Sequence, residues 1–514
     1  MTLNASGPIS LGGPTTGQSI NLELGNSATA VASIDSAPFR TLAGVASGTI
    51  ALSNFYGKSS NSYWVLAAST SVLNRGFTAS ANGILCVASG INSDITGTNN
   101  IYFFDANGAL SKSTAVSSLN DNWSGTYSPK QVYLSAWVNN NTFATPIFYP
   151  SGARFYYPYG VAPFNSTANQ NLNSSNLWTY GTSTTSTFDS DFSLKGNFTD
   201  TSGNVYLSAR RPNRTAGKAS FDQVSVYSYT SSGSVRWSFR NYQYARDEYQ
   251  SNYGLVRTDG VVVIIGANQQ DKLALITLNA STGAYIQGYS YNRQSFSDKF
   301  GNFYNDSSNN LYFSTRRTSD AKPRIFKFNS SYGVSAAKQY NPSPVSGGDG
   351  QSGWYNSTYL YNGVIYLFTS TQSASLMQVV AIDPATLLPS WTLNMQFSGA
   401  TLSNIMGDNG ESTIFATSIG IYVGVRINGF NNYFKLPLDG NISVTKAVTA
   451  PSGSTGYTVA FTKVTSGTSM VTSSDISFSS TGTFATPTET NAGAAASGGT
   501  PFNGVTPVTP LTTL

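Results

Sequence analysis

One order of signals recurs along most of this chain, at a spacing of about 50 residues. A turn comes first, then a short strand, an alternating strand, a second turn and usually a final strand. Ser202-Gly203-Asn204 leads into Val205-Tyr206-Leu207-Ser208, then Val224 to Tyr229, then Ser231-Ser232-Gly233 before Val235 and Trp237. Asp259-Gly260, Asn309-Asn310, Asn362-Gly363 and Ile419-Gly420 open four more such units. Two weaker units precede them, at Asn82-Gly83 and at Val132-Tyr133-Leu134-Ser135, making seven in all. A small antiparallel sheet made from one unit leaves both faces bare unless its neighbours cover them. An array of such sheets therefore closes into a ring. The period predicts a mainly β fold, a β-propeller of about seven blades. A β-sandwich or a row of small β-domains would use similar strands but needs no such period.

Closure requires a strand from the N-terminal side to enter a blade built from the C-terminal side, and Tyr63-Trp64-Val65-Leu66 fits that role. Residues 457–484 are expected either to complete the last blade or to form a separate β segment. The chain divides into a leading module at 1–59, a propeller-like domain at 60–485 and a low-complexity tail at 486–514. The tail is rich in Pro, Thr, Gly and Ala, a composition that packs on a partner or stays mobile.

Charged residues make up only 10% of the 514, against about 25% in ordinary soluble proteins. Ser, Thr, Asn, Gly and Tyr must therefore build the surface. Hydrophobic content of 40% argues against disorder. A net charge of +5 is thinly spread, and the densest basic groups are Arg210-Arg211 with Arg214, and Arg316-Arg317. They read as solvated turn charges, so no nucleic-acid partner is expected. The strongest apolar run, Val261 to Ile265, is too short to span a membrane as a helix, so no membrane insertion is expected. The N-terminus lacks a signal-peptide pattern.

The absence of histidine removes the commonest general base and zinc ligand. The single cysteine, Cys86, lies in an apolar run and reads as a core thiol; with it alone no intrachain disulfide can form. No catalytic residue, metal or cofactor is expected. Paired carboxylates could still serve a glycosidase, and Asp189, Asp191, Asp247 and Glu248 are the candidates; turn caps and loop charges explain them more simply. Aromatic rings can stack on sugar faces. Tyr157 and Tyr159, with Tyr242 and Tyr244, are the candidate glycan contacts, against a plainer reading as packing between blades.

The leading module has another character. Ile9 and Leu11 alternate before Gly12-Gly13-Pro14, and Ser19 or Asn21 can cap a short turn through Leu22 and Leu24. Ser36 is placed to cap a helix with Pro38 in its first turn and an apolar face of Phe39, Leu42 and Ala43. Ile50 and Leu52 read as a strand before Phe55-Tyr56-Gly57. So few large apolar residues make a marginal core, and a partner surface or self-association is expected to stabilise it.

In order, GPISLGGPTTGQSINLELG, Arg40-Thr41-Leu42-Ala43-Gly44 and Phe55-Tyr56-Gly57-Lys58-Ser59 resemble a module found near the N-terminus of tailed-bacteriophage virion proteins. The resemblance covers only residues 1–59, and Asn26 and Pro38 depart from the commoner hydrophobic form. It implies a structural component of the phage particle, made in the host cytoplasm: a tail fibre or tail-associated protein. It also implies other virion proteins as partners and a homo-oligomeric assembly. Leu22, Leu24, Arg40, Leu42, Phe55 and Tyr56 are the expected docking residues, and host-surface glycan is the expected further ligand. The alternatives are a propeller glycan hydrolase or depolymerase, and an architectural head, neck or baseplate protein.

Overall fold

The computed structural model describes most of residues 3–56, the strands within 64–179 and, more fully, the strands and turns within 193–484. The repeat folds into seven antiparallel sheets of four to six strands, with one further two-stranded sheet at Leu119–Asn120 and Thr126–Tyr127. Each sheet is a blade, built mainly of strands that follow one another in sequence. Blade 3, for example, runs Ser193–Thr199, Val205–Asn213, Phe221–Tyr229, Val235–Asn241. Blade 4 runs Tyr253–Val256, Val261–Ala267, Leu273–Asn279, Tyr285–Tyr291. Blade 5 covers Asp298–Asn305 to Val334–Pro342, and blade 6 Asn356–Tyr361 to Leu388–Ser398. The sequence turns thus sit after the first strand of each blade, not before it.

First strands of successive blades touch from Ala136–Trp137 in blade 2 onward, through Ser193–Thr199, Tyr253–Val256, Asp298–Asn305 and Asn356–Tyr361 to Ile414–Thr417 in blade 7. Ile414–Thr417 in turn meets Asn74–Ala79, the first strand of blade 1. The fold is a β-propeller. Trp64–Ala67 closes it as expected, pairing antiparallel with Phe430–Leu436 from Trp64 opposite Lys435 to Ala67 opposite Asn432. In blade 2, Val132 is on a described strand, and Tyr133 to Ser135 of the strand expected there lie outside the described residues. Gln131–Val132 and Ala136–Trp137 are two short strands, both paired with the long Thr142–Ser151.

Burial on both faces explains the unbroken apolar runs. In Val261–Ala267, Val262 and Ile264 pack against Tyr206, Val226 and Trp237 of blade 3. Val263 and Ile265 point the other way, onto Leu311, Phe313 and Phe326 of blade 5. Blades 5 and 6 meet through Tyr312, Ile325, Ile365 and Leu367. Blades 6 and 7 share the cluster of Phe368, Val379, Leu393, Val423 and Phe434. Each buried aliphatic or phenylalanine side chain contributes roughly 1.5–3 kcal/mol.

Residues 457–484 neither complete the last blade nor stand apart. After blade 7 the chain doubles back along the rim. Tyr457–Thr465 pairs with the outer strand of blade 6 and carries Thr445–Val448 on its far side. Met470–Ser473 then pairs with Val334–Pro342 of blade 5, and Ser480–Phe484 with Tyr285–Tyr291 of blade 4. This rim strap is legible only as strands in the sequence, because blade 7 takes its outer strand from Trp64–Ala67 instead.

The module contains α1 (Ile20–Glu23) and α2 (Ala37–Ala43). Ser19 caps α1, its Oγ accepting from the Leu22 amide at 3.3 Å. The Ser36 carbonyl accepts the Arg40 amide at the start of α2. Leu52 does not extend a strand: Leu52–Phe55 is one 3-10 turn, started by the Asn54 side chain, which accepts from the Ala51 amide at 2.7 Å.

Candidate functional site

Leu3, Ile20, Phe39, Leu42, Ala43 and Phe55 form the core of the module, with Ile9, Leu24, Ile34 and Ile50 packed around it. Phe39 and Phe55 meet edge to face, 6.4 Å between centroids. Two of the expected docking residues are therefore corrected. Leu42 is 6% exposed and Phe55 0%, so both hold the module together and present nothing to a partner. An apolar helix face looks the same in sequence whether it covers its own core or another chain. Arg40 is half-buried and bonded within its own module: its guanidinium donates to the Val45 and Gly48 carbonyls and pairs with exposed Asp35. Leu22 and Leu24 are half-buried. Tyr56 is exposed, its hydroxyl donating to the Gly7 carbonyl at 2.7 Å. Exposed Leu11, Val31 and Leu52 join Tyr56 on the surface of the module.

The ring carries a second organised surface, on the side where the first and third turns of each blade lie. Asp200 of blade 3 gathers its turn: Oδ1 accepts from the Ser202 and Asn204 amides, and Oδ2 from Asn204 Nδ2 and the Tyr206 hydroxyl. Asp306 of blade 5 repeats every one of these bonds with Ser308, Asn310 and Tyr312. The turn needs a left-handed residue, supplied by Gly203 at φ 76° and Asn309 at φ 60°. The shared spacing Asp-x-Ser-x-Asn-x-Tyr was the available signal for these two aspartates, which the sequence reading passed over.

Each such blade also reaches forward to the third turn of the next. Trp237 Nε1 donates to the Ala280 carbonyl at 2.9 Å. Arg257 Nη1 donates to Ser330 at 2.8 Å, Lys327 Nζ to Pro384 at 3.0 Å, and the Tyr366 hydroxyl to Leu438 at 3.1 Å. In the first three the accepting residue directly follows the turn Asn or Asp, Asn279, Asn329 or Asp383, while Leu438 directly precedes Asp439, and the donor changes each time. Arg257 is buried, pairs with Asp259 at 2.6 Å and lies 5.0 Å from the Tyr332 ring centroid. Charged donors like Arg257 and Lys327 were invisible in sequence because charges are ordinarily solvated.

The phenols of this surface are held neutral. Burial pushes Tyr206 up to about 12, with Arg236 drawing it down and Asp200 pushing it further up. Burial and then Asp439 push Tyr366 up to about 12. Tyr312 is raised by burial and then by Asp306. Neutral, each phenol remains a donor. This is an architecture of locked turns.

The sequence candidates for chemistry fall elsewhere. Asp189, Asp191, Asp247, Glu248, Tyr242 and Tyr244 lie outside the described residues. Tyr157 and Tyr159 are on the described strand Phe155–Asn165, but their side chains are outside the description. Among the described residues no group of three His, Cys, Asp or Glu side chains is placed to hold a metal. No described helix is long and apolar enough to cross a membrane.

No protein family and no curated protein matches the chain. Solved structures do. The polysaccharide lyase Uly1 is 9% identical, with 71% of this chain and 90% of that one covered and a TM-score of 0.39. A quinonprotein alcohol dehydrogenase-like protein from Bacteroides thetaiotaomicron is 11% identical, with 64% and 66% covered and a TM-score of 0.32. Prolyl oligopeptidase B from Galerina marginata is 12% identical at a TM-score of 0.37, and the chain spans 47% of its length against 65% of its own. At these identities and scores the likenesses carry no activity across.

Proposed function

We propose that this chain is a structural component of a tailed-phage particle, a tail fibre or tail-associated protein. In this reading the N-terminal module docks to the particle and the propeller is the body it carries. One observation carries the reading. The residues of the phage-like motif build a separate, minimal core and leave Leu11, Val31, Leu52 and Tyr56 exposed around it. These are four of the seven large hydrophobics exposed among the described residues, on about a ninth of the chain. Isolated apolar surface is ordinary, but a concentration of it on a marginal core marks a surface that a partner covers.

The test is incorporation. Particles purified from a lysate of the encoding phage are analysed by mass spectrometry, with the native chain and with a variant carrying Val31→Asp and Leu52→Asp. The chain is expected in native particles. The variant is expected to fold, by circular dichroism, and to be lost from particles. Absence of the native chain from purified particles sinks the proposal.

A further inference from the structure

The rim strap adds a strand to the outer edges of blades 6, 5 and 4. On blades 5 and 4 its described strands pair with Gln339–Pro342 and Gly288–Tyr291. These two stretches share one position in the fold. Each outer strand starts with a register shift, Phe328 opposite Val334 in blade 5 and Leu278 opposite Tyr285 in blade 4. Tyr340 and Tyr291 follow those starts at the same interval. The strap places Thr472 opposite Tyr340 and Ser480 opposite Tyr291.

Both tyrosines are fully buried, and both reach the next blade. The Tyr291 hydroxyl donates to the Tyr332 carbonyl in the third turn of blade 5, at 2.7 Å. The Tyr340 hydroxyl donates to the Leu387 carbonyl in the third turn of blade 6, at 2.9 Å. The accepting residues are the left-handed ones of their turns, Tyr332 at φ 66° and Leu387 at φ 56°. Side chains of this size seldom hold such values. In the third turns of blades 4 and 7 the left-handed residue is a glycine, Gly283 at φ 73° and Gly440 at φ 66°. Glycine keeps that conformation without help. Tyr332 and Leu387 depend on their surroundings for it, and the tyrosine of the preceding blade is one bond that fixes them. Their amides close the same turns, onto the Asn329 carbonyl at 2.9 Å and the Asp383 carbonyl at 2.7 Å.

Strap, tyrosine and turn are thus joined in series. A ladder fixes the backbone that carries the tyrosine, and the tyrosine fixes a turn that its own sequence does not favour.

We propose that the rim strap is a lock on the turn surface. Its strand on blade 4 holds Tyr291 against the third turn of blade 5, and its strand on blade 5 holds Tyr340 against that of blade 6. A strand lifted from the rim loosens the turn one blade ahead.

Hydrogen exchange on the full chain tests this. Successive amides of an antiparallel strand alternate between facing the partner and facing away. Two consecutive prolines therefore remove a ladder bond whatever the phase. Val471→Pro with Thr472→Pro lifts the strand from blade 5, and Gly482→Pro with Thr483→Pro lifts the one from blade 4. The first pair is expected to speed exchange of the Leu387 amide about tenfold, and the second that of the Tyr332 amide. The Gly283 amide, bonded to the Asn279 carbonyl at 2.8 Å, keeps its rate in both and reports that the ring is intact. Native rates at Leu387 and Tyr332 while the strap exchanges freely overturn the proposal. Equal acceleration at Gly283 also overturns it, by making the strap a general support of the ring. Tyr340→Phe and Tyr291→Phe then remove the two bonds with the strap in place. Each is expected to speed the same amide as the matching proline pair, and an unchanged rate in either breaks the series.

Discussion

The module and the ring solve the same problem with opposite means. Among its described residues the module has six buried apolar side chains and one isolated bridge, Ser10 with Ser19, in place of a sheet. Its shape rests on single bonds such as Asn4 amide to Gly17 carbonyl and Gly13 amide to Ala28 carbonyl. The ring makes one kind of interface and repeats it, so that blades 4, 5 and 6 each lend a face to two neighbours. Loss of one side chain is shared in the ring and concentrated in the module. A part that is to fold fully only against a partner belongs to the first kind, and a rigid body to the second.

The largest expected effect separates the two outright. Phe55→Ala is expected to destabilise the module by about 3–5 kcal/mol, enough to unfold a core of this size. Hydrogen exchange should then show residues 3–56 exchanging freely, with the ring protected as before. Loss of protection across 193–484 as well would break the comparison.

Next is Asp306→Ala, which removes the acceptor of four hydrogen bonds in blade 5. A loss of about 2–3 kcal/mol is expected in denaturant unfolding of the ring, with the slope unchanged. Asp200→Ala should match it, since the two networks are the same. Unequal losses would show that the blades are not interchangeable.

The smallest effect near neutrality is that of pH. With no histidine in the chain, stability is expected to stay level from about pH 6 to 9. Unfolded tyrosines ionise near pH 10, while Tyr206 and Tyr366 keep their protons to about 12 in the fold. Above pH 10 the unfolded chain therefore binds fewer protons than the folded one, and ring stability falls as pH rises towards 12. Alkaline titration followed by circular dichroism should show the ring unfolding as pH rises from 10 towards 12.

What could be read from sequence follows from which forces are local. Gly203, Gly260 and Asn309 announce their turns because positive φ restricts the residue type. Strand alternation found Trp64–Ala67, and the requirement of closure supplied its partner. The strap escaped, because a rim strand such as Ser480–Phe484 carries the period of any strand and nothing that names blade 4. The forward-reaching donors escaped for a related reason: Trp237, Arg257, Lys327 and Tyr366 share a position in space, not a chemistry. In the module, α1 and α2 were legible from Ser19 and Ser36. The sides of Leu42 and Phe55 were not, since burial against self and burial against another molecule leave the same pattern.

Closure by Trp64–Ala67 also sets a timetable. That strand leaves the ribosome before any blade exists, and its partner Phe430–Leu436 follows several hundred residues later. At roughly 5–20 residues per second of synthesis, the delay lasts tens of seconds. Throughout it the newborn chain carries an unmated strand at one end and a growing, unsealed stack of blades at the other. The rim strap emerges later still, so blades 6, 5 and 4 receive their last strands only after the ring can shut. Shutting the ring is thus the committing event in the life of this chain, and the interval before it is when the chain is most open to pairing with the wrong neighbour.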